Sequence, residues 1–93
     1  MRHALRTDNN QTAIVDALRK AGAVVEIIHE PVDLRVWADA TKQKFAFFEV
    51  KNLMTTYGRK GLNPKQLADM QGHAWAMVTC PESALGALRL LRA

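Results

Sequence analysis

The stretch Phe45-Ala46-Phe47-Phe48-Glu49-Val50-Lys51 combines the most strand-like pattern of the chain with a charged pair. Aromatic and β-branched residues favour strands, and successive side chains of a strand point to opposite faces of the sheet. Glu49 and Lys51 therefore share one face, and Phe48 lies on the opposite one. Such a pair indicates either a solvated face or an active site carried by the strand.

The hydrophobic pattern on both sides of this strand predicts the order helix, three strands, helix, strand, helix. The predicted elements are a helix over 8–21, strands over 23–28, 33–37 and 45–51, a helix over 64–72, a strand over 74–79 and a last helix beginning near Pro81. This order predicts one small α/β domain over residues 1–93, with a three-strand meander at its centre.

Residue types at the predicted helix ends support these limits. Asp8 is followed three residues later by Gln11, which is the pattern of a capping box at the first helix. Gly22 is a typical end for that helix. Asn63 and Pro64 are favoured at the cap and at the first position of the second helix.

Length and composition describe an ordinary globular domain with a mild excess of positive charge. The chain has 93 residues, of which 48% are hydrophobic and 24% charged, and its formal net charge is +4. That length supports one core of modest size. A basic balance favours a polyanionic partner such as nucleic acid, although many small basic proteins owe their charge to solubility alone.

Cysteine content and hydropathy argue against a disulfide- or zinc-stabilised protein and against a membrane-spanning one. Cys80 is the single cysteine, so the sequence predicts neither an internal disulfide nor a zinc cluster. No apolar run approaches the roughly 20 residues that cross a bilayer. The opening MRHALRTDNN has no apolar stretch of signal-peptide length. We therefore expect a reducing, cytoplasmic setting and no membrane partner.

The neighbouring strand brings a second carboxylate to the charged pair. A hairpin turn centred near Thr41 predicts the cross-strand pairs Trp37–Phe45, Arg35–Phe47 and Asp33–Glu49. Directly opposed Cβ atoms lie about 5 Å apart, so two carboxylates placed there repel each other unless a cation lies between them. Carboxylate oxygens are the ligands that Mg²⁺ prefers, and Lys51 on the same face is placed to position a water.

Asp33 followed by Glu49-Val50-Lys51 reproduces the D…(E)-x-K core of the PD-(D/E)xK nuclease superfamily. More narrowly, the chain resembles a stand-alone virus-type replication-repair nuclease (VRR-NUC) domain, which occurs in phage and bacterial genomes. The stretches that carry this resemblance, in order, are Arg6 to Gln11, Val32-Asp33-Leu34, Glu49-Val50-Lys51, Leu62 to Gln66 and Pro81 to Leu85. The resemblance implies a restriction-endonuclease-like core.

The resemblance implies a role for each matching residue. Asp33 and Glu49 would bind Mg²⁺ or Mn²⁺, with the backbone carbonyl of Val50 as a further ligand. Lys51 would orient or polarise the attacking water and steady the scissile phosphate. Gln66 would be an auxiliary catalytic residue near water or phosphate.

Two positions depart from the pattern of the family. Gln11 aligns where many relatives carry a glutamate that assists metal binding, and a neutral amide is a poorer ligand than a carboxylate. A capping glutamine is at least as good an explanation of Gln11. Val32 stands before Asp33 where the family pattern has proline, which leaves the carboxylate in place.

DNA binding at such a site requires cations that meet phosphates. The candidates are Arg35, Lys42, Lys44, Arg59, Lys60 and Lys65, together with Tyr57, which can stack on a base. Each cation can equally be a solvated charge, and Tyr57 can equally anchor its loop.

The sequence thus predicts a Mg²⁺- or Mn²⁺-dependent DNA endonuclease, acting in the cytoplasm of a bacterium or of a phage-infected host. The resemblance implies a preference for branched DNA, including Holliday junctions, and a homodimer that supplies two active sites. A catalytically silent nuclease-fold DNA-binding module is the alternative. A third hypothesis is a basic α/β interaction protein, in which Asp33 and Glu49 lie apart.

Overall fold

A computed structural model describes residues 3–52 and 61–93. Its elements are α1 (His3–Lys20), β1 (Val24–Ile27), β2 (Leu34–Trp37), β3 (Phe45–Val50), α2 (Pro64–Asp69), β4 (Trp75–Val78) and α3 (Pro81–Arg92). The predicted order of helices and strands is confirmed, and the chain is a small α/β fold. Within the described ranges, no helix has the length and apolar character needed to cross a membrane.

The four strands form one mixed sheet in the order β1-β2-β3-β4. The first three strands are antiparallel neighbours, whereas β4 pairs parallel to β3. A parallel neighbour requires a crossover between the two strands, and α2 lies in the connection that provides it. The strand that carries Glu49 is therefore an interior strand with a hydrogen-bonded neighbour on each side.

The main core lies between the sheet and the helices α1 and α3. Its fully buried members include Ile14 and Leu18 of α1, Leu34 of β2, Phe48 of β3 and Leu88 of α3. The helical residues recur at the spacing of one helix face, and Phe48 points at them from the centre of the sheet. The prediction that Phe48 faces the core is confirmed.

The opposite face of the sheet, which carries Glu49, is partly covered by a second cluster. Val32, Phe47 and Met70 are buried there, and Ile28 and Phe45 pack against them. Val32 lies in the segment before β2, and Met70 lies directly after α2. Because this cluster partly covers β3, the strand is not simply exposed to solvent. The structure thus disagrees with the hypothesis of a basic interaction protein whose charged strand is exposed.

Two predicted helix limits are wrong. Helix α1 begins at His3, five residues before Asp8, so the unsatisfied amide groups of its first turn precede the predicted Asp8–Gln11 capping box. Helix α2 ends at Asp69 rather than at Gly72. Gln71 and Gly72 adopt positive φ angles of 53° and 82°, which an α-helix cannot continue.

Two other helix ends follow the prediction. Asn63 caps α2 through its side chain, and Gln66 reaches back to the amide of Asn63, so both halves of a capping box are present. Gly22 follows the end of α1 with φ of 95°, a conformation that glycine adopts at little cost.

Candidate active site

The register of the β2–β3 hairpin brings Asp33 to Glu49. Trp37 pairs with Phe45 and Arg35 pairs with Phe47, as predicted. Asp33 directly precedes β2, so the same register extended by two residues beyond Arg35 places it opposite Glu49. The charge of Asp33 acts on the Glu49 carboxyl group and raises its pKa, as expected for neighbours across the two strands. Their joint binding of a metal stays a prediction.

Asp33 is held in place by the backbone of the neighbouring strand. Its Oδ2 atom accepts a hydrogen bond of 2.8 Å from the amide of Val50. A hydrogen bond that a backbone N–H donates to a carboxylate oxygen is among the stronger hydrogen bonds in proteins. It fixes the carboxylate beside the end of β3, between Glu49 and Lys51.

Glu49 and Lys51 form a largely buried ion pair on that face. The Lys51 Nζ atom lies 3.2 Å from Glu49 Oε2, and the side chains are only 12% and 10% exposed. Among the residues whose burial is described, Glu49 is the one charged or polar residue in the buried class. The pair therefore belongs to the protein interior and is not a solvated surface pair.

The electrostatic balance of this cluster leaves it short of positive charge. Burial raises the pKa of Glu49 above its ordinary value, and the nearby negative charge of Asp33 raises that pKa further. Lys51 opposes both effects through its hydrogen bond and its charge, but the net direction remains upward. Two carboxylates and one ammonium carry a net negative charge when ionised, which favours a further cation.

The donor set fits a hard divalent cation such as Mg²⁺. Mg²⁺ is commonly held by one or two carboxylates, with water and phosphate oxygens completing its shell, and Asp33 and Glu49 supply two. No group of three or more His, Cys, Asp or Glu side chains suited to a metal occurs in the described part of the chain. The predicted contribution of the Val50 carbonyl stays a prediction.

Measured in EDTA, the free energy of unfolding should contain a contribution that falls as the pH rises through the raised pKa of Glu49. The folded protein then binds more protons at this carboxyl group than the unfolded chain, whose ordinary value is 4.5, so stability is lost with rising pH. Urea unfolding between about pH 5 and pH 8, compared with Glu49→Gln, isolates this contribution. Equal pH slopes for the two proteins would contradict it.

The Gln66 side chain bonds to main-chain groups near the site and not to the carboxylates of Asp33 and Glu49. Its Nε2 atom donates to the carbonyl of Pro31 at 3.0 Å, and its Oε1 atom accepts the amide of Asn63 at 3.0 Å. Pro31 lies two residues before Asp33, so Gln66 ties α2 to the segment that carries a candidate ligand. Its predicted catalytic role stays a prediction, since both ends of its amide already bond to the main chain.

Helix α1 contributes a contact that the sequence did not single out. Asn10 Nδ2 donates to the backbone carbonyl of Lys51 at 3.2 Å, across 41 positions of the chain. Gln11, the predicted possible metal ligand, is the next residue and is half-buried. The polar run Asn9-Asn10-Gln11 was a signal, but only the long-range contact of α1 with the residue after β3 shows which amide reaches the site.

If the chain is the nuclease that its sequence predicts, replacing Asn10 by alanine should reduce turnover about tenfold, because the Lys51 carbonyl loses this donor. The free energy of unfolding should fall by only about 1 kcal/mol. Thr12→Ala, at an exposed position of the same helix, is the matched control. Cleavage kinetics and urea unfolding of the three proteins measure both effects, and unchanged turnover in Asn10→Ala would remove Asn10 from the site.

Arg35 lies on the same face but is already paired. Its Nε atom is 2.6 Å from Glu26 Oε1, and its guanidinium lies 5.8 Å from the ring centre of Trp37 and 5.7 Å from that of Phe45. The hydrogen bond from Arg35 is the main cause of the lowered pKa of Glu26. Contact between Arg35 and a phosphate stays a prediction, and it would compete with Glu26.

The predicted DNA-binding lysines within the described residues, Lys42, Lys44 and Lys65, are all exposed. Lys42 and Lys44 are exposed in the β2–β3 turn, and Lys44 Nζ lies 3.4 Å from the carbonyl of Ala93. Lys65 on α2 forms an exposed ion pair of 2.8 Å with Asp69. Tyr57, Arg59 and Lys60 lie outside the described residues.

Comparison of the chain with protein-family models, with curated proteins and with solved structures finds no match. The functional argument therefore rests on the residues and their geometry.

Proposed function

We propose that this protein is a divalent-metal-dependent DNA endonuclease with a PD-(D/E)xK active site, similar to VRR-NUC domains. The observation that carries the proposal is the meeting of Asp33, Glu49 and Lys51 at the adjacent ends of β2 and β3. Burying the Glu49 carboxylate with a second carboxylate beside it is costly, so the arrangement calls for a chemical reason. The four-strand mixed sheet with helices packed on one face is compatible with such a core.

Each residue of the cluster has a task in phosphodiester hydrolysis. A bound Mg²⁺ or Mn²⁺ would neutralise charge on the phosphate and lower the pKa of water. Asp33 and Glu49 hold the negative charge that attracts the cation. Lys51 carries a fixed positive charge beside them, which can orient the attacking water and offset charge developing on the phosphate.

The biological setting follows from the same proposal. A positive net charge of +4 favours a polyanion, and one cysteine fits a reducing cytoplasm in a bacterium or an infected host. A two-fold homodimer would place two such sites on one branched DNA, as cutting of both strands of a Holliday junction requires. These features rest on the resemblance to VRR-NUC domains.

Cleavage assays test the proposal directly. Linear duplex, flap and four-way-junction DNA are incubated with the protein in Mg²⁺, in Mn²⁺ and in EDTA. We expect cutting in either metal, none in EDTA, and faster cutting of a branched substrate. Binding without cutting in every metal would overturn the nuclease in favour of the second candidate.

The second candidate is a nuclease-fold module that binds DNA without cutting it. The contact that favours it is the Lys51–Glu49 ion pair of 3.2 Å, since an ammonium already compensates one of the two candidate ligands. In this case the ammonium of Lys51 neutralises Glu49 in place of a metal ion. Divalent ions should therefore change neither the DNA affinity nor the thermal stability of the protein.

A further inference from the structure

The face of the sheet that carries Glu49 also carries a row of aromatic rings. We name this surface the aromatic patch; its members are Trp37, Phe45, Phe47, His73 and Trp75. The ring centres of Trp37 and Phe45 are 4.9 Å apart, and that of His73 lies 5.0 Å from Phe45. Phe47 lies 6.0 Å from His73 in an edge-to-face arrangement. The rings of Trp37, Phe45, Phe47 and His73 thus form a connected cluster, and Trp75 stands next to Phe47 through the pairing of β4 with β3.

The pairing of β4 with β3 places the outer part of this patch beside the candidate site. Trp75 pairs with Phe47, and Met77 pairs with Glu49. Neighbouring strands are about 4.8 Å apart and residues rise about 3.3 Å along a strand, so the Cα atoms of Trp75 and Glu49 are about 8 Å apart. Trp75 and Met77 are 44% and 36% exposed, next to a carboxylate that is 8% exposed.

Trp75 and His73 are the exposed members of the patch, whereas Trp37 and Phe45 are half-buried and Phe47 is buried. The exposed His73 ring is tilted by 38° against the ring of Phe45. Exposed apolar groups that adjoin one another and are bordered by polar residues mark interaction sites on protein surfaces. Arg35 adds a half-exposed guanidinium over the rings of Trp37 and Phe45, and its charge is balanced by Glu26.

We propose that the aromatic patch binds unpaired nucleobases next to the scissile phosphate, which makes DNA with a single-stranded stretch beside the cut the preferred substrate. This proposal rests on the nuclease function proposed above. Flat aromatic side chains stack on the faces of bases without regard to sequence. In a duplex those faces are covered by neighbouring base pairs, so only an unpaired base can use the patch.

The orientation of the patch gives the proposal a direction. Met77 stands beside Glu49, and Trp75 lies further from the site along β4. A phosphate at the carboxylates therefore leaves the adjoining nucleotides over Met77 and then Trp75. The unpaired stretch begins within one or two nucleotides of the cut, and the duplex part extends away from β4.

A protein partner is the competing occupant of Trp75. This residue also borders an apolar groove of about 250 Å³ between the β3–β4 pair and α3, to which Phe48, Leu90 and Leu91 contribute. The groove opens on the helix side of the sheet, whereas Phe47 and Glu49 lie on the other side. A second copy docked on this edge would cover Trp75 without regard to DNA.

Affinity measurements in EDTA test the patch independently of cleavage. Fluorescence anisotropy compares a blunt duplex with the same duplex carrying a single-stranded tail on either strand. We expect the tailed duplex to bind about tenfold more tightly, because stacked bases add to the phosphate contacts. Trp75→Ala should remove most of this preference, and Trp75→Phe, which retains a ring, should keep it. Thr12→Ala, at an exposed position of α1 outside both the patch and the groove, is the control.

The outcomes separate the patch from the nuclease. Normal metal-dependent cleavage with equal affinity for blunt and tailed DNA would overturn the patch alone. A tail preference that depends on Trp75, without cleavage in any metal, would keep the patch and overturn the nuclease. If Trp75→Ala lowers the oligomeric state in sedimentation and weakens both DNAs equally, Trp75 belongs to a protein interface and the patch is wrong. No binding to either DNA would overturn both proposals.

Discussion

Lys51→Ala should reduce metal-dependent DNA cleavage by about 10²–10³-fold, the effect of removing one charge-stabilising group from a hydrolytic site. DNA binding should change by only a few fold, since many phosphate contacts share the binding energy. The reason lies in the position of the ammonium, 3.2 Å from Glu49 and largely shielded from solvent. Single-turnover cleavage of a labelled branched substrate measures the rate, and anisotropy in EDTA measures the affinity.

Two further variants give this experiment its controls. Arg89→Ala removes an exposed positive charge from α3 and should leave the rate unchanged. Lys51→Arg keeps the positive charge but replaces a compact ammonium by a broad planar group. Compared with Lys51→Ala, it should have a higher free energy of unfolding but an equally low cleavage rate. Cleavage by Lys51→Ala at nearly the original rate would show that another group performs the chemistry.

Phe48→Ala should lower the free energy of unfolding by about 3–5 kcal/mol. Phe48 is fully buried at the centre of the main core, so truncation removes apolar contacts and leaves a cavity between the sheet and two helices. Small domains are stable by only about 5–15 kcal/mol, and the variant should therefore be close to unfolding at body temperature. The midpoint of urea unfolding measures the loss, with an unchanged slope as the sign that both proteins unfold to the same extent.

The control for the core is Leu90, which is similar in character but 79% exposed. Leu90→Ala should change stability by no more than about 0.5 kcal/mol. A loss below about 1 kcal/mol in Phe48→Ala would mean that Phe48 does not lie in a packed core between the sheet and the helices α1 and α3.

Local patterns were sufficient to predict the order of elements because they report local physics. Alternation in Phe45 to Lys51 shows which side chains share a face, and Asn63 with Pro64 sets the start of α2. The same rules misplaced the start of α1, because Asp8 is a good cap residue that the chain uses inside a helix. The parallel pairing of β4 with β3 depends on the whole crossover and was not readable from either strand.

The candidate site divides in the same way. Asp33 and Glu49 could be paired from the hairpin register, since short-range geometry fixes it. The burial of Glu49 could not be predicted, because the cover over its face comes from Val32 and Met70, which are distant in sequence. Asn10 was missed for the same reason, since its contact with Lys51 spans 41 positions.

The bond between Asp33 and the Val50 amide has a thermodynamic consequence for the proposed nuclease. One oxygen of Asp33 is already occupied by that amide, and two carboxyl groups supply only a small share of the oxygens that surround Mg²⁺. Most of the remaining oxygens would then come from solvent and from the DNA phosphate. Ion and substrate would assist each other's binding, and linkage requires the factor to be the same in both directions. The proposed nuclease would then stay poorly loaded with metal until DNA binds, and hydrolysis would be confined to the complex.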